Sequence, residues 1–270
     1  MRDFLLAANW KMHKNPGETR AFFTEWKGIA ARLPQSGPRG GRTRVLAFVP
    51  ALSFAAAVDA VGASGQDLPV ERARDLAIEL GIQNAHHESK GAFTGENSAV
   101  VAQQMGAQWL LVGHSERRSL FHETDEWTSL KVEAGLKAGL KVMLCIGETL
   151  PEREAGQTDQ VNRRQLAAGL SRVSPSILEA SRLVIAYEPV WAIGTGKVAT
   201  PEQANQAHVA IRDWLAGAYG KELAARTPIL YGGSVKPDNA AQLREQSEID
   251  GFLVGGASLE VTSFSALLLS

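Results

Sequence analysis

Glu188 is the residue of this sequence whose setting most clearly suggests chemistry. It opens the segment Glu-Pro-Val-Trp-Ala-Ile-Gly-Thr-Gly-Lys, a loop with apolar residues at its centre that follows an apolar run. If this loop closes over a ligand, it excludes water, and the desolvation raises the pKa of Glu188 and makes it a better general base. The alternative is a solvated glutamate before a proline turn, which leaves Trp191 and Ile193 unexplained.

His114 and Lys11 lie in two further polar segments, Gly-His-Ser-Glu-Arg-Arg and Asn-Trp-Lys. A neutral imidazole at His114 could polarise a carbonyl; the alternative is a structural histidine in a polar loop. Lys11 could neutralise an anionic substrate, and in an extended segment Asn9 points the same way. The alternative for Lys11 is a solvated lysine at a strand end. Taken singly, each residue leaves both interpretations open.

Two glycine pairs follow consecutive apolar runs near the end of the chain. They are Gly232-Gly233, which precedes Ser234, and Gly255-Gly256. Glycines let backbone N–H groups approach an anion closely, and the loops after the last two strands of an α/β barrel often hold a phosphate. A single pair is more often a tight turn, but two pairs on consecutive strand ends favour a phosphate site.

Metal and nucleotide sites are not predicted. The neighbours His86 and His87 cannot easily face one metal ion, and the remaining histidines have no ligand partners at metal-site spacing. Lys197 is followed by Val198, where a phosphate-binding P-loop needs serine or threonine. Cys145, the single cysteine, excludes an intrachain disulfide and is predicted to be a packed core thiol.

Eight apolar runs must position these residues. Most of them lack the alternation of a strand with one wet face, and the segments between them are long enough for helical crossovers, which predicts a parallel sheet covered by helices. A closed barrel and an open doubly wound sheet both fit this pattern. The predicted strands are Phe4–Ala8, Val45–Val49, Leu76–Ile82, Trp109–Val112, Val142–Ile146, Leu183–Tyr187, Ile229–Tyr231 and Phe252–Val254.

The helical signals are clearest after the first and sixth strands. An apolar stripe runs from Phe22 to Leu33, and Thr200-Pro201-Glu202-Gln203 has the residues of a helix N-terminus. The stretches Pro34–Arg44 and Gly62–Arg74 are predicted to be surface extensions, so that residues 1–270 form one domain.

The composition of the chain excludes several classes of binding partner. The net charge is -1, with 44% hydrophobic and 21% charged residues, so the chain has no global basic field for nucleic acid or anionic lipid. No segment has about 18 uninterrupted apolar residues, and the amino-terminal apolar run is too short for a signal peptide. We expect a cytoplasmic protein that binds neither nucleic acid nor membrane.

Seven segments, in one order along nearly the whole chain, resemble the triosephosphate isomerase family. They are Asn-Trp-Lys-Met, Gly-Ala-Phe-Thr-Gly-Glu at Gly91–Glu96, Gly-His-Ser-Glu-Arg-Arg, Cys-Ile-Gly-Glu-Thr, Tyr-Glu-Pro-Val-Trp-Ala-Ile-Gly-Thr-Gly-Lys, Tyr-Gly-Gly-Ser-Val and Leu-Val-Gly-Gly-Ala-Ser-Leu.

The resemblance implies a single (β/α)₈ barrel and the interconversion of dihydroxyacetone phosphate and D-glyceraldehyde 3-phosphate by proton transfer, a step of glycolysis and gluconeogenesis that needs no cofactor. The family is the standard example of a carboxylate base, a neutral imidazole and a closing loop. The implied roles are Glu188 as base, His114 as electrophile, Asn9 and Lys11 as substrate ligands with Lys11 as electrostatic stabiliser, Gly194, Ser234, Gly255 and Gly256 as phosphate ligands, Glu116 as support, and Ala192–Gly196 as a mobile lid.

The resemblance also implies a homodimer, in which the loop Gln83–Glu96, with Thr94 near its tip, inserts beside the partner's active site. The sequence departs from the family at His122, where Phe-Gly-Glu would be usual, and in the longer stretches named above.

Two alternative functions remain in competition with this one. One is an isomerase of a related sugar phosphate, such as a tetrulose phosphate; the other is a binding or scaffolding barrel, which should have lost a charged catalytic residue.

Overall fold

The computed structural model describes residues 1–62, 78–174, 182–193 and 198–269. Within them, eight strands form one closed barrel in chain order, and every neighbouring pair is parallel. The predicted barrel is therefore confirmed. The strands are β1 Phe4–Asn9, β2 Thr43–Val49, β3 Ile78–Ile82, β4 Trp109–Val112, β5 Lys141–Ile146, β6 Leu183–Tyr187, β7 Ile229–Tyr231 and β8 Gly251–Val254.

Closure joins the first strand to the last. Ala8 of β1 lies opposite Ala47 of β2 on one side and Val254 of β8 on the other. The predicted strand boundaries were short by one or two residues for β1, β2, β5 and β8, whereas Leu76, the predicted start of β3, lies outside the described residues.

Helices surround the barrel. The described α-helices are α1 Pro16–Ala30, α2 Ala51–Val61, α3 Ala99–Gln104, α4 Ser115–Leu120, α5 Asp125–Lys137, α6 Leu150–Glu154, α7 Thr158–Gly169, α8 Pro201–Tyr219, α9 Lys221–Arg226, α10 Pro237–Glu245 and α11 Val261–Leu269, with short 3₁₀ turns at Val190–Ala192 and Gly256–Ser258. None of these helices has both the length and the apolar character that a bilayer crossing requires.

Each strand is buried on both faces, which explains why the apolar runs do not alternate. Leu5 and Ala7 of β1 point into the barrel and pack in its interior, whereas Leu6 and Ala8 pack against the surrounding helices. The interior is filled by side chains from successive strands, so the barrel is a packed core and not a pore.

The predicted helix signals around α1 and α8 are confirmed. Phe22, Phe23 and Trp26 form the buried face of α1. The Thr200 side chain accepts the backbone N–H of Gln203, and the side chain of Gln203 accepts the N–H of Thr200, which completes a capping box before α8.

The stretch Pro34–Arg44 is more than a surface extension. Its last two residues belong to β2, and Ser36 pairs with Arg42 in an antiparallel bridge. Arg39 reaches beneath the barrel, where its guanidinium contacts the Asp250 carboxylate at 3.1 Å. Except for Gly62, the second stretch lies outside the described residues.

Candidate active site

The predicted catalytic side chains meet at the carboxyl ends of the strands. Asn9 ends β1 and is followed closely by Lys11, His114 caps α4 just after β4, and Glu188 follows β6. His114 Nε2 lies 3.0 Å from Glu188 Oε1. The fold therefore gathers at one rim residues that are distant in sequence.

Lys11 has a strained backbone that the surrounding residues hold in place. Its φ of 50° lies in the left-handed region, which costs energy for a residue with a side chain. The backbone N–H of Lys11 donates to Asn9 Oδ1 at 3.1 Å, and the Gln83 amide donates to the Lys11 carbonyl at 2.9 Å. The ammonium lies 2.6 Å from Glu116 Oε1. Glu116, predicted as a supporting residue, therefore lies directly beside the Lys11 ammonium.

Gln83 was not predicted as part of the site. Its side-chain amide donates to the carbonyl oxygens of Phe48, in β2, and Lys11, at 3.0 and 2.9 Å. It thereby ties the ends of two strands together beneath the lysine. The sequence feature that could have indicated Gln83 is its position directly after β3, where polar residues of a barrel face the site.

The orientation of His114 is fixed by the start of α4. Its Nδ1 accepts the backbone N–H of Glu116 at 3.2 Å, so in the neutral ring the proton lies on Nε2 and points to Glu188. Burial by itself lowers the pKa of His114, but the charge and hydrogen bond of Glu188, together with the charge of Glu116, outweigh burial and raise it.

Glu188 is only 2% exposed. Its Oε2 accepts the backbone N–H of Ser115 at 3.1 Å, and the Cys145 thiol also donates to the carboxylate. Burial raises the pKa of Glu188 as predicted, but pairing with His114, together with the Ser115 N–H and the Cys145 thiol, outweighs burial, and the net shift is downward. The predicted rise in pKa is therefore wrong for this arrangement, because it considered desolvation without the imidazole. The carboxylate is held ionised, as a base requires.

Cys145 is a packed thiol, as predicted. It is fully buried in the barrel interior. Burial, followed by the Glu188 charge, raises the pKa of the thiol well above its ordinary value. A thiol with this environment is a hydrogen-bond donor to Glu188 and not a nucleophile.

Two glycines make room for Glu188. A Cβ on Gly147 would lie 1.8 Å from the Glu188 carbonyl oxygen, and a Cβ on Gly232 would lie 2.8 Å from Glu188 Cγ. Gly232, predicted as half of a phosphate-binding pair, thus has a packing reason of its own.

A cavity of about 310 Å³ adjoins the catalytic side chains. It is bordered by residues predicted for catalysis and for phosphate binding: Asn9, Lys11, His114, Glu188, Ser234, Gly255 and Gly256. Ile193 contributes to its wall, and the preceding Ala192 is buried. Gly194 and the rest of the predicted lid to Gly196 lie outside the described residues.

Glu148 is a second buried carboxylate at the rim, and its role was not predicted. It accepts the Tyr187 hydroxyl at 3.1 Å and the Trp191 indole N–H at 2.9 Å, and the Arg153 guanidinium lies 3.5 Å away. Trp191 also packs against the core, which explains why an aromatic residue occupies a surface segment. Glu148 therefore anchors the start of the segment that follows Glu188. The sequence feature that could have indicated this role is a charged residue just after a strand end, next to Gly147.

The fold and the site together define a class: a TIM barrel whose rim places a carboxylate, an imidazole and an ammonium group beside one cavity, an arrangement that is able to transfer protons. In the described part of the chain, no three histidine, cysteine or acidic side chains converge as a metal-binding group.

Comparison with known proteins gives the family. The model of the family described as triosephosphate isomerase matches residues 4–270. Curated relatives named triosephosphate isomerase include those of Symbiobacterium thermophilum, 46% identical over 267 residues (99% of this chain and 96% of the relative), and Solibacter usitatus, 43% identical over 268 residues (99% of each). That of Bdellovibrio bacteriovorus is 46% identical over 97% of this chain and 98% of its own length. The chain belongs to the triosephosphate isomerase family and is an isomerase.

Proposed function

We propose that this chain interconverts dihydroxyacetone phosphate and D-glyceraldehyde 3-phosphate, with Glu188 as the base, His114 as the electrophile and Lys11 as the electrostatic stabiliser. The observation that carries the proposal is the Glu188–His114 pair, 3.0 Å apart, on the wall of a cavity that Lys11 and two glycine-containing loops also border. The proposal includes one domain over residues 1–270, no cofactor and a cytoplasmic location.

The chemistry begins with a proton. Glu188 removes it from the carbon next to the carbonyl, and the His114 Nε2–H and the Lys11 ammonium stabilise the enediolate oxygens. The carboxylate then returns a proton to the neighbouring carbon, while the hydroxyl proton passes, through the His114 imidazole, from the oxygen that becomes the carbonyl to the former carbonyl oxygen. No bond to a cofactor is needed, because the electrons move only between the two carbons and their oxygens.

Glu188 must first leave His114. The carboxylate is held by a backbone N–H, an imidazole N–H and a thiol, which are weaker partners than a guanidinium, so it can turn towards a substrate. Once it turns away, His114 loses the charge that raised its pKa, and burial favours the neutral ring. A neutral imidazole with Nε2–H towards the substrate is the electrophile that the mechanism needs.

The phosphate is held at the far side of the cavity. Ser234, Gly255 and Gly256 border the cavity, and Gly194 is the fourth proposed ligand. Backbone N–H groups in such loops bind an anion without a bulky side chain in the way. Closure of Ala192–Gly196 would exclude water and keep the enediolate phosphate from losing its phosphate.

The chain is also proposed to form a homodimer through the loop Gln83–Glu96. Phe93 on this loop is 42% exposed, and Trp127 and Phe121 on neighbouring segments are 47% and 61% exposed. Exposed apolar side chains of this size on adjacent segments are typical of an association surface. Thr94 at the loop tip is exposed and would lie beside the partner's site.

The test is an assay of the purified chain with dihydroxyacetone phosphate and, in parallel, with a four-carbon ketose phosphate. We expect kcat/KM to favour the three-carbon substrate by at least about tenfold, because an additional carbon must fit a cavity that closes around the phosphate. A preference for the four-carbon substrate would move the assignment to the sister activity. Inactivity towards both would contradict the proposal.

A further inference from the structure

A row of aromatic rings runs through the proposed dimer loop. The Phe93 and His86 rings stack at 4.0 Å between centroids, and the His86 and His87 rings at 4.2 Å. The His87 ring then approaches Trp127 of α5 at 6.3 Å. The row connects the region near the loop tip to the body of the protein.

The surroundings of this row favour a neutral ring at His87. The neighbouring His86 is held in place by its Nδ1, which accepts the Glu88 backbone N–H at 3.0 Å. His87 Nδ1 is buried and has no hydrogen-bond partner among the described residues. A proton there would carry a charge into a place that offers no acceptor.

The charges facing the row come from the loop and from α5. Burial lowers the pKa of His87, and His86 and the Lys131 ammonium add to this, while Glu88 opposes it. Lys131 is itself buried and pairs with the Glu123 carboxylate.

Further groups surround Lys131. Its ammonium donates to Asn84 Oδ1 at 2.8 Å and is attracted by Glu96, while the Arg117 guanidinium shares the Glu123 carboxylate. The positive charge near His87 is thus fixed in place.

The sign of the pH effect follows. The ordered loop favours neutral His87, whereas a released loop exposes it as an ordinary histidine with a pKa of about 6.5. The stability of the ordered loop is therefore fully present above about pH 6.5 and is lost as the pH falls below it, because the released loop binds the proton more readily.

We propose that the stack of Phe93, His86 and His87 is an acid-sensitive latch, which holds the loop Gln83–Glu96 in the conformation that a second copy of this chain binds. Protonation of His87 releases the loop and weakens the dimer. This inference rests on the homodimer proposed above.

The test is the subunit dissociation constant of the full chain, measured by analytical ultracentrifugation from pH 8.0 to 5.5 at fixed ionic strength. We expect the constant to rise by about tenfold or more at the acidic end, because both copies carry a latch. His87→Phe keeps a ring in the stack but removes the titrating group, so its dissociation constant should change little over the same range. His122→Asn, in an exposed histidine outside the stack, should retain the pH dependence of the unchanged chain.

A second measurement covers the case in which His87→Phe does not fold. Hydrogen exchange of residues 83–96 in the unchanged chain, corrected for the intrinsic rate, should be faster at pH 5.5 than at pH 7.5. A dimer with the same dissociation constant at both pH values would overturn the latch and leave the dimer intact. A monomer at every pH would overturn both proposals, and full pH dependence in His87→Phe would overturn the assignment to this stack.

Discussion

The two ends of the barrel each bury a carboxylate, but they hold it in different ways. At the amino-terminal end, Asp250 accepts the guanidinium groups of Arg2 and Arg212 at 2.7 Å each and that of Arg39 at 3.1 Å. At the carboxyl-terminal rim, Glu188 is held by neutral donors and by one imidazole. Permanent charges fix the first carboxylate, whereas the partners of the second can release it.

Backbone strain follows the same division. The described non-glycine residues with positive φ are Lys11, Lys14 and His122, and all three follow the carboxyl ends of β1 or β4. A strained backbone conformation persists only where the surrounding contacts hold it in place, and such conformations cluster at functional sites. The comparison therefore assigns stability to one end of the barrel and chemistry to the other.

The largest expected effect is at the rim. Glu188→Ala should lower kcat by about 10⁴-fold, because Glu188 is the one carboxylate among the described residues that borders the 310 Å³ cavity beside Ser234 and Gly255. The free energy of unfolding should change little in the same variant, since Glu188 makes no contact with a permanent charge. Steady-state kinetics with a parallel thermal unfolding curve measure both, and near-normal turnover would remove Glu188 from the mechanism.

At the opposite end the pattern should reverse. Asp250→Asn leaves three buried or half-buried guanidinium groups without their shared carboxylate, so we expect the free energy of unfolding to fall by about 3–5 kcal/mol with kcat of the folded fraction unchanged. Chemical denaturation measures the loss. Asp238→Asn, in an exposed aspartate of α10, is the matched control and should have a minor effect. Equal losses in the two variants would contradict the division.

His208, in α8 near the same end, adds a pH dependence. Its Nδ1 lies 3.0 Å from the Glu248 carbonyl oxygen, and burial lowers its pKa from 6.5 to about 4. The unfolded chain therefore takes up a proton that the folded chain resists, and stability falls as the pH drops from about 6.5 to about 4, by roughly 3 kcal/mol in total. Chemical denaturation of His208→Gln at pH 7 and pH 4 measures this contribution. The difference in the free energy of unfolding between the two pH values should be smaller by this amount than in the unchanged chain. An identical pH dependence would count against a neutral, buried His208.

The smallest effect concerns strain at the rim. His122 has a φ of 54°, which glycine adopts without a steric penalty, so His122→Gly should raise the free energy of unfolding by about 1 kcal/mol. His13→Gly removes the same side chain at an exposed position that is not among the positive-φ residues, and it should bring no gain. Equal responses of the two variants would show that the backbone of His122 stores no strain.

The sequence pattern was sufficient for a parallel sheet covered by helices, and the family resemblance decided between a closed barrel and an open sheet. Asn9, Lys11, His114 and Glu188 lie at or just after strand ends, where the polar groups of a parallel barrel face its rim. The sequence was insufficient for Gln83, whose amide donates to the carbonyl oxygens of Phe48, in β2, and of Lys11, just beyond β1. Such a partnership has no local signature until the barrel closes.

The same limit explains two further differences. The pKa of Glu188 depends on its distance from His114, which burial alone does not reveal. Arg39 was assigned to a surface extension because its partner Asp250 lies near the other end of the chain. Sequence patterns indicate which elements form, whereas pairings between distant charges require the geometry of the closed barrel.

The central claim is that Glu188 moves the proton, and solvent exchange tests it most directly. With dihydroxyacetone phosphate in D₂O, NMR should detect deuterium entering the carbon next to the carbonyl in the presence of the unchanged chain. Folded Glu188→Ala at the same concentration should not incorporate it above the uncatalysed rate. Incorporation by Glu188→Ala at the rate of the unchanged chain would contradict the account.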